Sequence, residues 1–253
     1  MAQPSFVSAK PPDDDPVSLT SRTWLAYMRT GDRAVDQASE AGLSGLALEL
    51  AKRTSVTNAG AVALDPARLP NLAYYPLIYW PLAARQKPLS QDAARSVNDY
   101  LRHGGMILFD AGDNGTSREE GDGASPAMLR HMLSGADIPP LEPLPKDHVL
   151  TKSFYLLDSF PGRADNKDFW MMPEDESSAQ DGVSGVFFGA NGWAAAWAMD
   201  SDGSRPLYPC SPGGETQREM AYRFGINLVV YALTGNYKAD QVHAKALLER
   251  MGR

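Results

Sequence analysis

Two carboxylates three positions apart, Asp110 and Asp113, stand in the polar turn Asp110-Ala111-Gly112-Asp113-Asn114-Gly115. The turn follows a wholly apolar run, Met106-Ile107-Leu108-Phe109. A buried strand that empties into a glycine-rich turn is how open α/β sheets build ligand sites, at the carboxyl ends of strands. Other strand exits are polar in the same way: Arg29-Thr30-Gly31-Asp32, Trp80 and Asn191. In a parallel sheet these exits share one edge. His148 and Arg163, in a long irregular segment, are placed to reach over it. The expected binding cleft is therefore Arg29, Asp32, Trp80, Asp110, Asp113, Asn114, His148, Arg163 and Asn191, with Asp110, Asp113 and His148 the candidates for acid–base work. Each residue also has an ordinary reading. Asp32 can cap the helix that follows, Asp113 can close an Asx-turn, and Arg29 can pair with Asp110.

Other chemistries find less support. A metal held by Asp110, Asp113 and His148 lacks any HxH, HExxH or paired-cysteine spacing, so neither a metal nor a cofactor is expected. Cys210 lies between prolines in Tyr208-Pro209-Cys210-Ser211-Pro212, away from a strand-to-helix elbow, and reads as a bystander. No serine stands in a GxSxG elbow. Gly213-Gly214-Glu215-Thr216-Gln217-Arg218-Glu219 has the look of an anion-binding helix start, but its two glutamates and the missing GK[ST] speak against phosphate.

Those groups have to be positioned by a fold. The 253 residues, 43% hydrophobic, are enough to bury a substantial core. The net charge of −7 and the lack of a basic stripe speak against nucleic acid and anionic membrane surfaces as partners. The single cysteine cannot form an internal disulfide. No apolar run reaches the ~18 residues of a membrane-spanning helix. Residues 1–21, with Pro11-Pro12-Asp13-Asp14-Asp15-Pro16, read as a disordered leader or linker, and 22–253 as one α/β domain.

Within that domain the patterns predict strands at Thr23–Arg29, Ala61–Leu64, Leu77–Trp80, Met106–Phe109 and Val183–Gly189. Helices are expected over Val35–Arg53, from Ser90 through Leu101, over Ala124–Ser134, Glu215–Leu233 and Ala239–Arg250. Gly42 and Gly45 would let the first helix pack closely on a sheet. Trp193–Met199 alternates like a strand and should form a small hairpin with Leu207-Tyr208. Pro145–Asp181 reads as a long irregular segment whose aromatic content argues for order and for folding over the strand ends. Alternating strands and helices predict a mostly parallel sheet covered on both faces.

Five collinear stretches carry a resemblance: WLAYMRTGD (24–32), YPLIYWP (75–81), HGGMILFD (103–110), DHVLTKSFYLLDSFPGR (147–163) and GGETQREMAYRFGINLVVYALTGNYKADQV (213–242). Together they resemble a bacterial family of domains of unknown function. Members often form the C-terminal soluble part of membrane proteins whose N-terminal region is similar to the BatA-type aerotolerance proteins. More distantly, His103-Gly104-Gly105 and Asp147-His148-Val149-Leu150-Thr151 resemble motifs of the class I glutamine amidotransferase-like fold, a flavodoxin-like sheet, in its ThuA-like branch. At the place of that fold's nucleophile this chain carries Asp110, not cysteine. The resemblance implies a non-catalytic or divergent domain that binds a small ligand or a partner protein, a soluble segment that can be tethered to the bacterial inner membrane. The alternative is a hydrolase using Asp110, Asp113 and His148, with or without a metal.

Overall fold

Strand β1 (Thr23–Met28) lies inside a seven-stranded sheet whose other members are β2 (Ala59–Leu64), β3 (Leu77–Pro81), β4 (Met106–Asp110), β5 (Glu142–Pro143), β6 (Phe169–Met171) and β7 (Val186–Gly189). The order across the sheet is β2-β1-β3-β4-β7-β6-β5. From β2 to β7 every pairing is parallel, and β6 and β5 are added antiparallel at one edge. The computed structural model describes residues 21–83, 86–112, 129, 133–173 and 184–251, with side chains up to 234. The expected leader, Asp113, Asn114 and almost all of the helix expected at Ala124–Ser134 lie outside the described residues.

The central strands are apolar along their whole length because both faces are covered. β3, β4 and β7 are buried at every position. Leu77, Tyr79, Leu108 and Phe187 face one core, shared with helices α1 (Arg33–Arg53), α3 (Trp193–Trp197) and α4 (Gly214–Met251). Ile78, Trp80, Ile107 and Phe109 face the other, shared with α2 (Gln91–Arg102). Asp32 caps α1, its Oδ1 accepting the Ala34 and Val35 amides at 2.9 and 3.3 Å. Ser90 Oγ caps α2 through the Ala93 amide. Gly104, at φ 82°, turns the chain out of α2 into β4.

Three expectations need correction. The first concerns Trp193–Met199, which does not form a hairpin strand. Trp193–Trp197 is helix α3, and only a bridge between Met199 and Pro206 is left of the pairing. All five residues of α3 are 0% exposed, so an apolar run here has no wet face to reveal its period. The second concerns Gly235-Asn236, which does not end the helix begun at Gly214. One glycine costs a helix about 1 kcal/mol relative to alanine, too little to stop a run of good formers. The third concerns Pro145–Asp181, part of which is not irregular: Phe169–Met171 is β6, pairing with Gly189, Phe188 and Phe187. Its outer neighbour β5 is two residues long and contains Pro143, which blunts the edge against further pairing.

Helices α1 and α4 are tied by charge. The Arg53 guanidinium makes a two-pronged contact with the Glu219 carboxylate, both bonds 2.9 Å, and Arg223 adds a third at 2.9 Å. Partial burial acts to raise the Glu219 carboxyl, but the two arginines win and hold it below its ordinary 4.5. A depressed native pKa contributes stability that is present above that ordinary value and is lost as pH falls through the native one. Glu219→Gln should therefore cost up to about 1 kcal/mol near neutral pH, the range of partly exposed pairs. The deficit should shrink as pH drops below 4.5, read by urea denaturation at a series of pH values.

Candidate functional site

Asp110 ends β4 with its side chain on the Tyr79 face of the sheet and is 0% exposed. Its carboxylate takes four donors. Tyr79 Oη donates at 2.6 Å and Trp193 N at 2.7 Å to Oδ2, while Gly112 N at 2.8 Å and Gly192 N at 3.1 Å donate to Oδ1. Two of these amides open α3, where a negative charge is favoured by the helix dipole. Gly192 enters the helix at φ 63°. Burial pushes the Asp110 carboxyl up from its ordinary value, and the four donors pull against it. Backbone comes very close here: a Cβ on Gly112 would sit 2.1 Å from Gly192 N. The arrangement grips a helix end and leaves the carboxylate no face for a substrate.

The far end of α3 is closed as well. Buried Arg218 donates to Ala196 O and to Tyr208 O, both at 2.5 Å, and Tyr222 Oη donates to Trp197 O at 2.9 Å. An anion at the first turn and a cation at the last both suit the dipole.

Other residues of the expected cleft also turn out to hold structure. Asn191, 0% exposed, accepts from the Asn166 amide at 2.6 Å and donates to Phe160 O and Asn166 O, pinning the long segment to the end of β7. His148 is buried between Phe187 and Tyr231, and its Nδ1 accepts the Leu150 amide at 3.1 Å. It is not among the four donors to Asp110. Arg163 lies over the Tyr208 ring at 5.7 Å. Asp32 is the α1 cap.

Arg29 and Trp80 are in a different place. They line a crevice of about 670 Å³ together with Thr30, Gly31, Asp36, Asp65, Lys87 and Ser90. Trp80 belongs to the core on the opposite side of the sheet from Asp110's donors, packed on Phe109 at 5.4 Å between ring centroids. The expected single cleft is thus divided into a closed cage around Asp110 and an open crevice beside β1 and β3. The crevice has a topological origin. The chain leaves β1 for β2 on one side, then crosses to β3 on the other, so the loops after β1 and β3 diverge. Ligand sites of open α/β sheets lie at such a reversal, outside the carboxyl ends of the strands.

Charge in the crevice is arranged unevenly. Asp36 turns to its own loop, accepting from Thr30 N at 2.7 Å, Thr30 Oγ1 at 2.8 Å and Gly31 N at 3.3 Å. Asp65 accepts from Ala67 N at 2.9 Å. Arg29 and Lys87 are exposed, and among the described residues neither pairs with a carboxylate. Burial lifts the nearby Tyr27 hydroxyl to about 12; the charge of Glu40 adds to this, and Arg29 opposes it. Trp80 is 1% exposed, and among the described residues its Nε1–H has no acceptor. Lys87 and Asp65 were missing from the sequence-derived cleft. A signal for them did exist, since each closely follows the exit of a strand, but short polar loops rarely announce which of them face each other.

Sheet, cage and crevice together define a mixed α/β domain with a scaffold on one face and an open strand-end crevice on the other. Residues 24–233 match the family described as a domain of unknown function (DUF4159), and the chain belongs to that family. No curated protein matches the chain.

Proposed function

We propose that this domain is a binding module that takes a small polar ligand in the crevice between the loops after β1 and β3. The observation that carries the reading is the position of that crevice, at the point where the strand order reverses. Its volume of about 670 Å³ is in the range that holds a drug- or nucleotide-sized molecule. The sheet order β2-β1-β3-β4 supports a flavodoxin-like, amidotransferase-like ancestry. In that frame Asp110 replaces the nucleophile, and a carboxylate held by four donors supports a non-catalytic role. The hydrolytic alternative gains nothing from this geometry, because neither Asp110 nor His148 opens onto the crevice.

Among the described residues no helix is long and apolar enough to cross a membrane. The resemblance to C-terminal parts of BatA-like proteins supports a module held at the cell envelope by another part of a longer chain.

The test is retention of small molecules. Purified protein is incubated with a protein-free cell extract, desalted and studied by native mass spectrometry. The wild type should keep a small molecule that Thr30→Trp, which fills the crevice mouth, loses while remaining folded, with Thr30→Val, which gives up the same hydroxyl without filling the mouth, as the control that keeps it. Equal retention by the wild type and Thr30→Trp, or none by either, would defeat the reading.

A further inference from the structure

We infer that β2 pairs antiparallel with β2 of a second copy of this chain, about a two-fold axis at Ala61, so that two seven-stranded sheets become one. The two edges of the sheet are finished differently. At one, β5 is two residues long and carries Pro143. At the other, β2 runs for six residues, Ala59-Gly60-Ala61-Val62-Ala63-Leu64, with no proline, no charge and no break in its register with β1. An edge left unblunted is a template for another strand. The ladder with β1 decides which groups are on offer. Thr23 N donates to Asn58 O and Arg29 N to Leu64 O, both at 2.9 Å. A parallel ladder takes every second residue of a strand, so Asn58, Gly60, Val62 and Leu64 turn their backbone groups to β1. Ala59, Ala61 and Ala63 turn theirs outward, and no described residue bonds to them.

Two further features select a second copy of this chain over an unrelated strand. The first is register. In an antiparallel pair, residues directly opposite exchange both N–H···O=C bonds at every second position. With Ala61 facing Ala61 of the second copy, Ala59 faces Ala63 and Ala63 faces Ala59, and every outward N–H and C=O finds a partner. Side chains do not stand in the way: the three alanines are half-buried, leaning on the core shared with α1. The second feature is charge. Arg22 is held at one end of β2, its Nε donating to Asn58 Oδ1 at 2.9 Å, and Asp65 follows the other end. Antiparallel pairing sets the cation of each copy beside the acid of the other, twice by symmetry. Parallel pairing would set like charges together. Nothing need be bound in the crevice for this contact to form.

Sedimentation velocity of the full chain over a concentration series is the test. A species of twice 27.4 kDa should appear as concentration rises. Ala61→Pro removes one outward N–H and none of the bonds to β1, so it should weaken the dimer roughly ten-fold or more while the chain stays folded by circular dichroism. Asp65→Arg should weaken the dimer as well, and adding Arg22→Asp to it should restore the dimer. Amide hydrogen exchange identifies what covers the edge: protection of Ala59, Ala61 and Ala63 should grow with protein concentration. Protection already complete in dilute, monomeric protein would mean that another part of the same chain covers β2, and would overturn the inference. A wild type that is monomeric at every concentration, or a dimer that neither Ala61→Pro nor Asp65→Arg weakens, would overturn it too.

Discussion

Asp110→Ala should lose about 3–5 kcal/mol of stability, since a buried donor stripped of its acceptor costs about 1–3 kcal/mol and four lose theirs together. The substitution leaves three backbone N–H groups and the Tyr79 hydroxyl without their acceptor, and α3 without its cap. Asp110→Asn should recover little. The amide nitrogen would have to point at donors whichever way the group is turned, since each carboxylate oxygen receives two of them. Tyr79→Phe removes one of the four donors and should cost less, about 1–2 kcal/mol. Chemical denaturation of the three variants orders them. A stable Asp110→Ala protein would mean that the carboxylate does not hold α3, and would reopen a chemical role for it.

Gly42→Ala and Gly45→Ala are expected to be nearly as damaging, although alanine is the better helix former by about 1 kcal/mol. A Cβ at Gly42 would lie 2.2 Å from Ala194 O, and one at Gly45 would lie 2.1 Å from Trp197 O. Both obstacles are backbone atoms of α3, which is itself held at both ends and has no room to retreat. Each substitution should cost about 3 kcal/mol, the upper part of the range for overpacking, and the pair should come close to unfolding the domain. Ser44→Ala on the same helix should stay within about 0.5 kcal/mol. Thermal melts compare the set. A neutral Gly42→Ala would show that α1 can move off α3.

The same glycines mark how far the sequence alone can be read. Their need for a close neighbour is legible in a helix that otherwise has no reason to carry them; that the neighbour is a buried helix, and not the sheet, is not. The parallel body is legible for a physical reason, since strands covered on both faces are uniformly apolar and their exits are polar. The α3 segment is illegible for the converse reason: burial on every side erases the period that tells helix from strand. Among the expected site residues, Arg29 and Trp80 proved to share a crevice because β1 and β3 are neighbours in the sheet. Asp110 and Asn191 also stand at strand ends, but their side chains turn inward. Strand alternation sets which face a residue takes, and a shift of a single position moves it to the other. Polarity at a strand exit therefore marks where the chain turns, and says little about whether the side chain meets solvent.

The closed helix α3 has a consequence for the order in which the chain can assemble. Its anchors come from far apart: Asp110 lies 83 positions from Trp193, and Tyr79 115 positions from Ala194. The contacts at its first turn cannot form until β3 and β4 are in place, so each requires a long loop to be closed first, whereas those at its other end, with Arg218 and Tyr222, span only 22 and 25 positions. The two ends of the piece at the centre of the core are thus fastened by contacts of very different reach. Its three alanines are good helix formers, but five residues are too few to hold a helix alone in water. The domain is therefore built to fold as a whole, with one of its two cores complete only when α3 is seated.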